Sequence, residues 1–514
     1  MRMPRAIRTD SSQVNAQNSS FNLASGSVIV MIGLLGGAFL QYSYNIGLPR
    51  LFGAKQTGDF VFCLSIVSIG AIIGQLGAQE LLLRYIAAYR GSADLDRLKS
   101  VILVGVTIGI FGSGLFAILV YYFAPQISTL AGKPHIVDLL RTMCLFVPLL
   151  AAITMFGAAL QSAKKMKNLV IIREIGRPLA IVVGLLCSWI FILRFENFIW
   201  ITAAGLFLVV ALAIKFLWSE FSDARESIGD ISQLWSWIIF SLSVMFLDLF
   251  RSTTGWIDML ILGFFVPSEE IAIYFAAVRL ALLITIVLGA FNAVLSPVAA
   301  DLWHRQNIKE LDAMFKQTTR WTAFAIIPIA LSLYLVSSQL MALFGPEYQA
   351  AQSILAVIII GRTVNGLTGG VTRLLMMTGH QRVELVNTIV TTILMVTGMI
   401  WASRTYGMFG VAVVSSAVVI VMNIIKLLEV HWLIGIQPYT AQYAKLGVAA
   451  IVAFIAGFTA LNFLPNSLEQ LMLFIVPFFT VITYLFIWYL LGIEDEDWVI
   501  LNRLPRLNGK SLSH

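Results

Sequence analysis

The chain has 514 residues, 59% of them hydrophobic and only 12% charged, with a mean hydropathy of +0.88. That balance excludes an ordinary soluble domain, in which about a quarter of residues are charged. The formal net charge of +7 does not imply nucleic acid, because the basic residues are scattered through short connections beside apolar runs, where they hold topology and touch anionic headgroups.

A membrane crossing needs about 20 apolar residues for roughly 30 Å of hydrocarbon. Runs of that kind fall near 26–48, 58–83, 100–124, 137–160, 168–190 and 197–218. Others follow near 238–264, 269–294, 319–343, 352–376, 384–402 and 408–430, and a last pair near 445–464 and 470–491. The expected fold is therefore an all-α polytopic membrane protein of about 14 transmembrane helices. The first run is too long for a signal peptide and is read as a retained span. Of the 34 Lys and Arg residues, counting those near a span end with the nearest connection, 24 belong to the termini or to connections after even-numbered spans, and 6 to connections after odd-numbered ones. By the positive-inside rule both termini are expected in the cytoplasm.

Late in the first span, Gln41, Tyr42, Tyr44 and Asn45 form a polar band, and Gln75, Gln79, Glu80 and Arg84 do the same in the second. Glu80 and Arg84 are four apart, the spacing of a helical ion pair. Arg173 and Arg177, at the start of the fifth span, read as topology anchors. Cys63, Cys144 and Cys187 sit inside apolar runs as small packing residues, and no metal site or cofactor is expected.

Two pairs of connections six spans apart are alike: Ala88–Leu98 with Trp303–Asp312, and Gln161–Lys165 with Thr378–Arg382. That offset suggests two six-helix lobes. The expected division is a cytoplasmic tail at 1–25, lobes at 26–225 and 226–432, two added helices at 433–492, and a cytoplasmic tail at 493–514. Transporters carry such repeats, with the substrate site at the repeat interface.

Four arginines remain inside spans: Arg251, Arg279, Arg362 and Arg373. In the seventh span Asp248, Arg251, Ser252 and Gly255 share one helical face, with Asp258 nearby. In the tenth, Arg362, Asn365, Gly366, Gly369 and Arg373 follow spacings that keep them in one stripe, and the glycines permit a bend. At 1.5 Å per residue, Arg279 lies about 15 Å and Arg362 about 18 Å from the outer ends of their spans. Charge at that depth is costly and lines a polar pathway. Asp248 offsets one of these arginines, and an anionic ligand would balance the rest. Arginine grips phosphate oxygens bidentately, which makes a diphosphate headgroup the natural cargo. The structural alternative is that each arginine pairs within the helix bundle.

Several stretches then resemble a known family. These are Gly77-Ala78-Gln79-Glu80-Leu81-Leu82-Leu83-Arg84-Tyr85 and Trp256-Ile257-Asp258-Met259-Leu260-Ile261-Leu262-Gly263-Phe264, followed by Glu269-Glu270, Tyr274-Phe275-Ala276-Ala277 and Leu295-Ser296-Pro297. Arg320-Trp321, Phe344-Gly345-Pro346-Glu347-Tyr348 and Met377-Thr378-Gly379-His380 complete the series. Together they resemble the bacterial polysaccharide biosynthesis and oligosaccharide flippase family, in the multidrug/oligosaccharidyl-lipid/polysaccharide exporter superfamily. The resemblance implies two six-helix lobes in a V-shape with two further C-terminal helices, and a cavity lined by the first, second, seventh and eighth helices. It implies movement of undecaprenyl-diphosphate-linked oligosaccharide from the cytoplasmic to the periplasmic leaflet of the bacterial inner membrane by alternating access. Its partners would be that lipid-linked glycan, the bilayer, and a polysaccharide polymerase with export machinery.

Arg251, Arg279, Arg362, Arg373 and Asn365 are the candidate substrate-binding residues, and Asp248 and Asp258 the candidate ion-coupling residues. A lipid II flippase and a multidrug/cation antiporter of the same superfamily stay open as alternatives. The antiporter chemistry wants carboxylates where this chain is net basic. A membrane glycosyltransferase or polymerase would want a large outer loop or catalytic acids, and only Glu269-Glu270 offers an adjacent acidic pair there. The chain is therefore expected not to be an enzyme.

Overall fold

A computed structural model describes residues 11–225, 229–253, 255–463 and 469–492. Among them all regular structure is helical and no strand occurs, since a lipid-facing backbone must satisfy its own hydrogen bonds. Ten of these helices are long and apolar enough to cross a membrane. The expected figure of about fourteen divides the segments Ile32–Gly74 and Gln381–Ile434 at Gly53 and Gly407, where the backbone leaves the helical region. It also counts shorter and interrupted helices as crossings. The chain forms two units, Met1–Ala272 and Ile273–His514.

In the first unit the second apolar run is not one helix. The Ser11–Gly74 helix stops, Leu76 and Gly77 take φ of 50° and 76°, and a new helix runs Ala78–Gly91. The break is packed, not frayed. Gln75 is buried and its Oε1 accepts from Thr154 Oγ1 at 3.2 Å, while the Leu76 carbonyl accepts from Ser241 Oγ at 2.6 Å. A Cβ on Gly77 would overlap the Ser241 carbonyl, so glycine serves both the left-handed turn and the close approach. Asp94 caps the next helix, Leu95–Leu130, by accepting from Arg97 N at 3.1 Å. Its buried Gly105, Gly109 and Gly112 repeat at helical spacing, so that Gly74, Ala78 and Met155 pack close against its backbone.

The Glu80–Arg84 pairing does not form. Arg84 instead lies over the Phe240 ring, 4.7 Å from its centroid, a cation–π contact. The seventh apolar run is also divided, into Leu234–Thr253 and Ile257–Phe265. The cause is local: Ser252, Thr253, Thr254 and Gly255 are poor helix formers in succession. Asp248, Arg251 and Ser252 therefore stay on the first of these helices, while Gly255 and Asp258 do not continue its face as one unbroken helix would have them do.

In the second unit Asn307 caps Ile308–Leu335 through Glu310 N at 3.3 Å. That helix carries the C-terminal pair, Tyr443–Phe463 and Glu469–Leu490, through Ala323, Leu446, Ala449, Ala453 and Tyr484, all buried. Small residues at four-residue spacing let these backbones approach closely.

Candidate functional site

The tenth apolar run gives the best-defined site. Its helix spans Gln352–Leu367, stops at Thr368, Gly369 and Gly370, and restarts as Val371–Met377. Gly369 takes φ 69°, and a Cβ there would overlap Thr319 Oγ1. The bend foreseen from the glycines is thus a full interruption, and it splits the predicted stripe. Arg362, Asn365 and Gly366 stay on the first helix, whereas Arg373 sits exposed on the second.

Arg362 and Asn365 are partly accessible. Among the described residues no hydrogen bond or ion pair engages the Arg362 guanidinium. The surrounding backbone is tied down firmly. Thr368 Oγ1 lies 2.9 Å from the Asn365 carbonyl and 3.2 Å from Asn423 Oδ1, its one hydroxyl hydrogen shared between the two acceptors. Beyond the break, Lys426 Nζ donates to Thr372 Oγ1 at 3.1 Å and to Glu384 Oε1 at 2.7 Å. Asn387 Nδ2 donates to Glu429 Oε2 close by. A rigid polar ladder along the Gln381–Ile434 segment therefore supports the two half-helices. An available guanidinium beside an amide, near an interrupted helix end, can take an anionic oxygen group.

Glu384, Asn387, Asn423, Lys426 and Glu429 were not singled out from sequence. Glu384 and Lys426 stand 42 residues apart, near the ends of two different apolar runs. The available signal was that both lie inside the hydrophobic limits of those runs.

Arg279 also lies in the second unit. It is partly buried, with its Cζ 4.6 Å from the Phe275 ring centroid one turn earlier. Asp248 and Asp258 lie in the first unit. Asp258 is 9% exposed in the first turn of Ile257–Phe265, and its Oδ1 accepts from Met259 N at 2.9 Å. The helix dipole favours a carboxylate there. Arg251 belongs to the Leu234–Thr253 helix, and its side chain lies outside the described residues.

A second polar cluster, in the first unit, escaped the sequence reading. Lys133 is 5% exposed and donates to the carbonyls of Gly263 at 2.6 Å and Val266 at 2.8 Å. It caps the Ile257–Phe265 helix from another connection. Burial pulls the Lys133 ammonium below the ordinary lysine range, against the pull of Asp59 and Glu269. Asp59 is also buried. It accepts from Ser268 Oγ and lies 3.0 and 3.1 Å from His135 Nε2.

Interrupted helices, intramembrane charge and an all-helical chain define a multi-pass membrane protein of the transporter type. Within that class, residues 23–303 match the family described as "Polysaccharide biosynthesis protein", and the chain belongs to that family. It is 22% identical over 353 residues to "Succinoglycan biosynthesis transport protein ExoT" of Rhizobium meliloti (strain 1021), covering 68% of this chain and 67% of that one. It is 22% identical over 472 residues to "Probable low-salt glycan biosynthesis flippase Agl15" of Haloferax volcanii, covering 90% and 95% respectively. Its fold is similar to a structure of "Lipid II flippase MurJ, inward closed conformation", with a TM-score of 0.71 at 15% identity, over 93% of this chain and all of that one. A MATE family transporter of the MOP superfamily matches with a TM-score of 0.63 at 16% identity, over 79% of this chain and 98% of that one. The family resemblance and the all-α fold expected from sequence both hold.

Proposed function

We propose that this protein is a flippase that carries undecaprenyl-diphosphate-linked oligosaccharide from the cytoplasmic to the periplasmic leaflet of the bacterial inner membrane. It does so by alternating access, with both termini cytoplasmic and without catalysing a covalent step. Family membership supports the cargo class, as do the transport and flippase names of its relatives. The observation that carries the reading furthest is the partly accessible Arg362 guanidinium beside Asn365, held near a helix break with no protein acceptor among the described residues. A guanidinium so placed suits a diphosphate. Arg251, Arg279 and Arg373 complete the proposed anion path, with Asp248 or Asp258 coupling transport to an ion gradient. A polysaccharide polymerase and export machinery would take up the delivered repeat unit.

The test is translocation of a fluorescent undecaprenyl-diphosphate oligosaccharide in proteoliposomes, with Arg251→Ala, Arg279→Ala and Arg362→Ala beside the unaltered protein. Transport that collapses in folded arginine variants supports the reading. Equal rates in all four proteins would make the arginines structural, and no transport by the unaltered protein across several glycans and gradients would remove the function. Lipid II is the second cargo to test, because the lipid II flippase fold matches over nearly the whole chain.

A further inference from the structure

On the flank of the first unit a cavity of about 660 Å³ opens among Tyr121, Tyr122, Asp138, Arg141, Thr142 and Trp200. Arg141 stacks on the Tyr121 ring, its Cζ 5.2 Å from the centroid, and its Nε is buried without a hydrogen-bond acceptor. Asp138 is exposed and lies one turn earlier on the same short helix, Val137–Met143. The two charges are three residues apart, yet among the described residues no ion pair joins them and no protein group engages either charge by a polar bond. A buried guanidinium N–H left without an acceptor is costly, so the cavity is short of one anionic oxygen.

Its setting identifies the occupant. Leu115, Ile118, Leu119 and Leu145 beside it are exposed apolar side chains, as expected of a surface against acyl chains. Asp138 and Arg141 lie near the start of the apolar segment Pro134–Ser162, where a spanning helix approaches the headgroups. Tyr121, Tyr122 and Trp200 supply the amphipathic rings favoured at that level.

We infer that this cavity binds the headgroup of a phospholipid bearing one phosphate and one primary ammonium. Phosphate oxygens accept from Arg141, with the tyrosine hydroxyls at hand, and the ammonium donates to Asp138. An anionic glycerol headgroup would meet Asp138 with like charge. A choline headgroup has no N–H to donate. A diphosphate would carry its extra charge against the same carboxylate. No ion pair joins the two protein charges, which leaves both open to a zwitterion spanning them.

The experiment is native mass spectrometry of the full chain after exchange into equal parts phosphatidylethanolamine, phosphatidylcholine and phosphatidylglycerol. The unaltered protein should retain the ethanolamine lipid about ten-fold over either other lipid, the ratio given by one added charge-assisted hydrogen bond. Asp138→Asn should abolish the preference over phosphatidylglycerol while binding persists, a change of selectivity that a misfolded chain would not give. Arg141→Gln should weaken retention of all three. Equal retention of the three lipids by the unaltered protein, or an ethanolamine preference that survives both substitutions, would overturn the assignment.

Discussion

Lys426 Nζ lies 2.7 Å from Glu384 Oε1, joining the two halves of the Gln381–Ile434 segment on either side of its kink at Gly407. Both side chains are largely buried, at 13% and 9% exposure, so neither charge has water as a ready substitute. Lys426→Met should strand the Glu384 carboxylate and destabilise the protein by about 3–5 kcal/mol. Adding Glu384→Leu should return most of that loss, because an apolar pair of similar volume is tolerated where a lone charge is not. Thermal unfolding of the single and double variants in detergent measures the coupling. A double variant no more stable than Lys426→Met would show that the pair is not what holds this region.

Gly369 and Gly379 both take left-handed φ, 69° and 84°, but their surroundings differ. A Cβ on Gly369 would overlap Thr319, while nothing lies within 4 Å of one on Gly379. Gly369→Ala should therefore cost the backbone strain of about 1–3 kcal/mol plus a steric term, and should lower the melting temperature more than Gly379→Ala. Similar melting temperatures for the two variants would count against the packed interruption.

Lys133→Met removes the donor shared by the Gly263 and Val266 carbonyls. Each carbonyl left buried without a partner costs about 1–3 kcal/mol, and the loss should appear as faster amide exchange through Ile257–Phe265. Unchanged exchange there would mean that water replaces the ammonium.

The Ser232 backbone N–H and hydroxyl, with the Arg97 guanidinium, hold the Asp230 carboxyl below the ordinary carboxylate range. Its stabilising contribution is fully present above the unfolded value of about 3.9 and is lost as pH falls through the lower folded value. Amides of 229–234 should exchange faster below pH 4, beyond the intrinsic change in chemistry, and Asp230→Asn should remove that dependence. The same pH response in the Asn variant would place the titrating group elsewhere.

Hydropathy made the apolar helices legible because each crossing must satisfy length and backbone bonding within itself. The interruptions were harder. Gly369 announced a bend, but only its collision with Thr319 shows why the chain must leave the helix there. The break at Leu76 carries no comparable signal, since it is imposed by Ser241 and Thr154 from distant helices. Arg362 and Asn365 could be found as charge and amide on one face. The polar ladder behind them could not, because Glu384 meets Lys426 only after the chain has turned back on itself. Lys133 escaped the sequence reading for the same reason. A lysine in a connection reads as a topology marker until two carbonyls from 130 residues away are found at its tip.

The Lys133 cap also decides which connections will accept foreign sequence. Gly132 and Ile192 both lie in short turns with left-handed backbone, and a hydropathy plot treats them alike. Around Ile192, 91% exposed, the chain is open, and a reporter peptide or protease site spliced there should leave the protein intact. The same insertion after Gly132 would displace the neighbouring lysine from its carbonyls and loosen a helix far along the chain. Mapping sidedness with inserted tags therefore has a usable position in one turn and a damaging one in the other, although both are loops by every linear criterion.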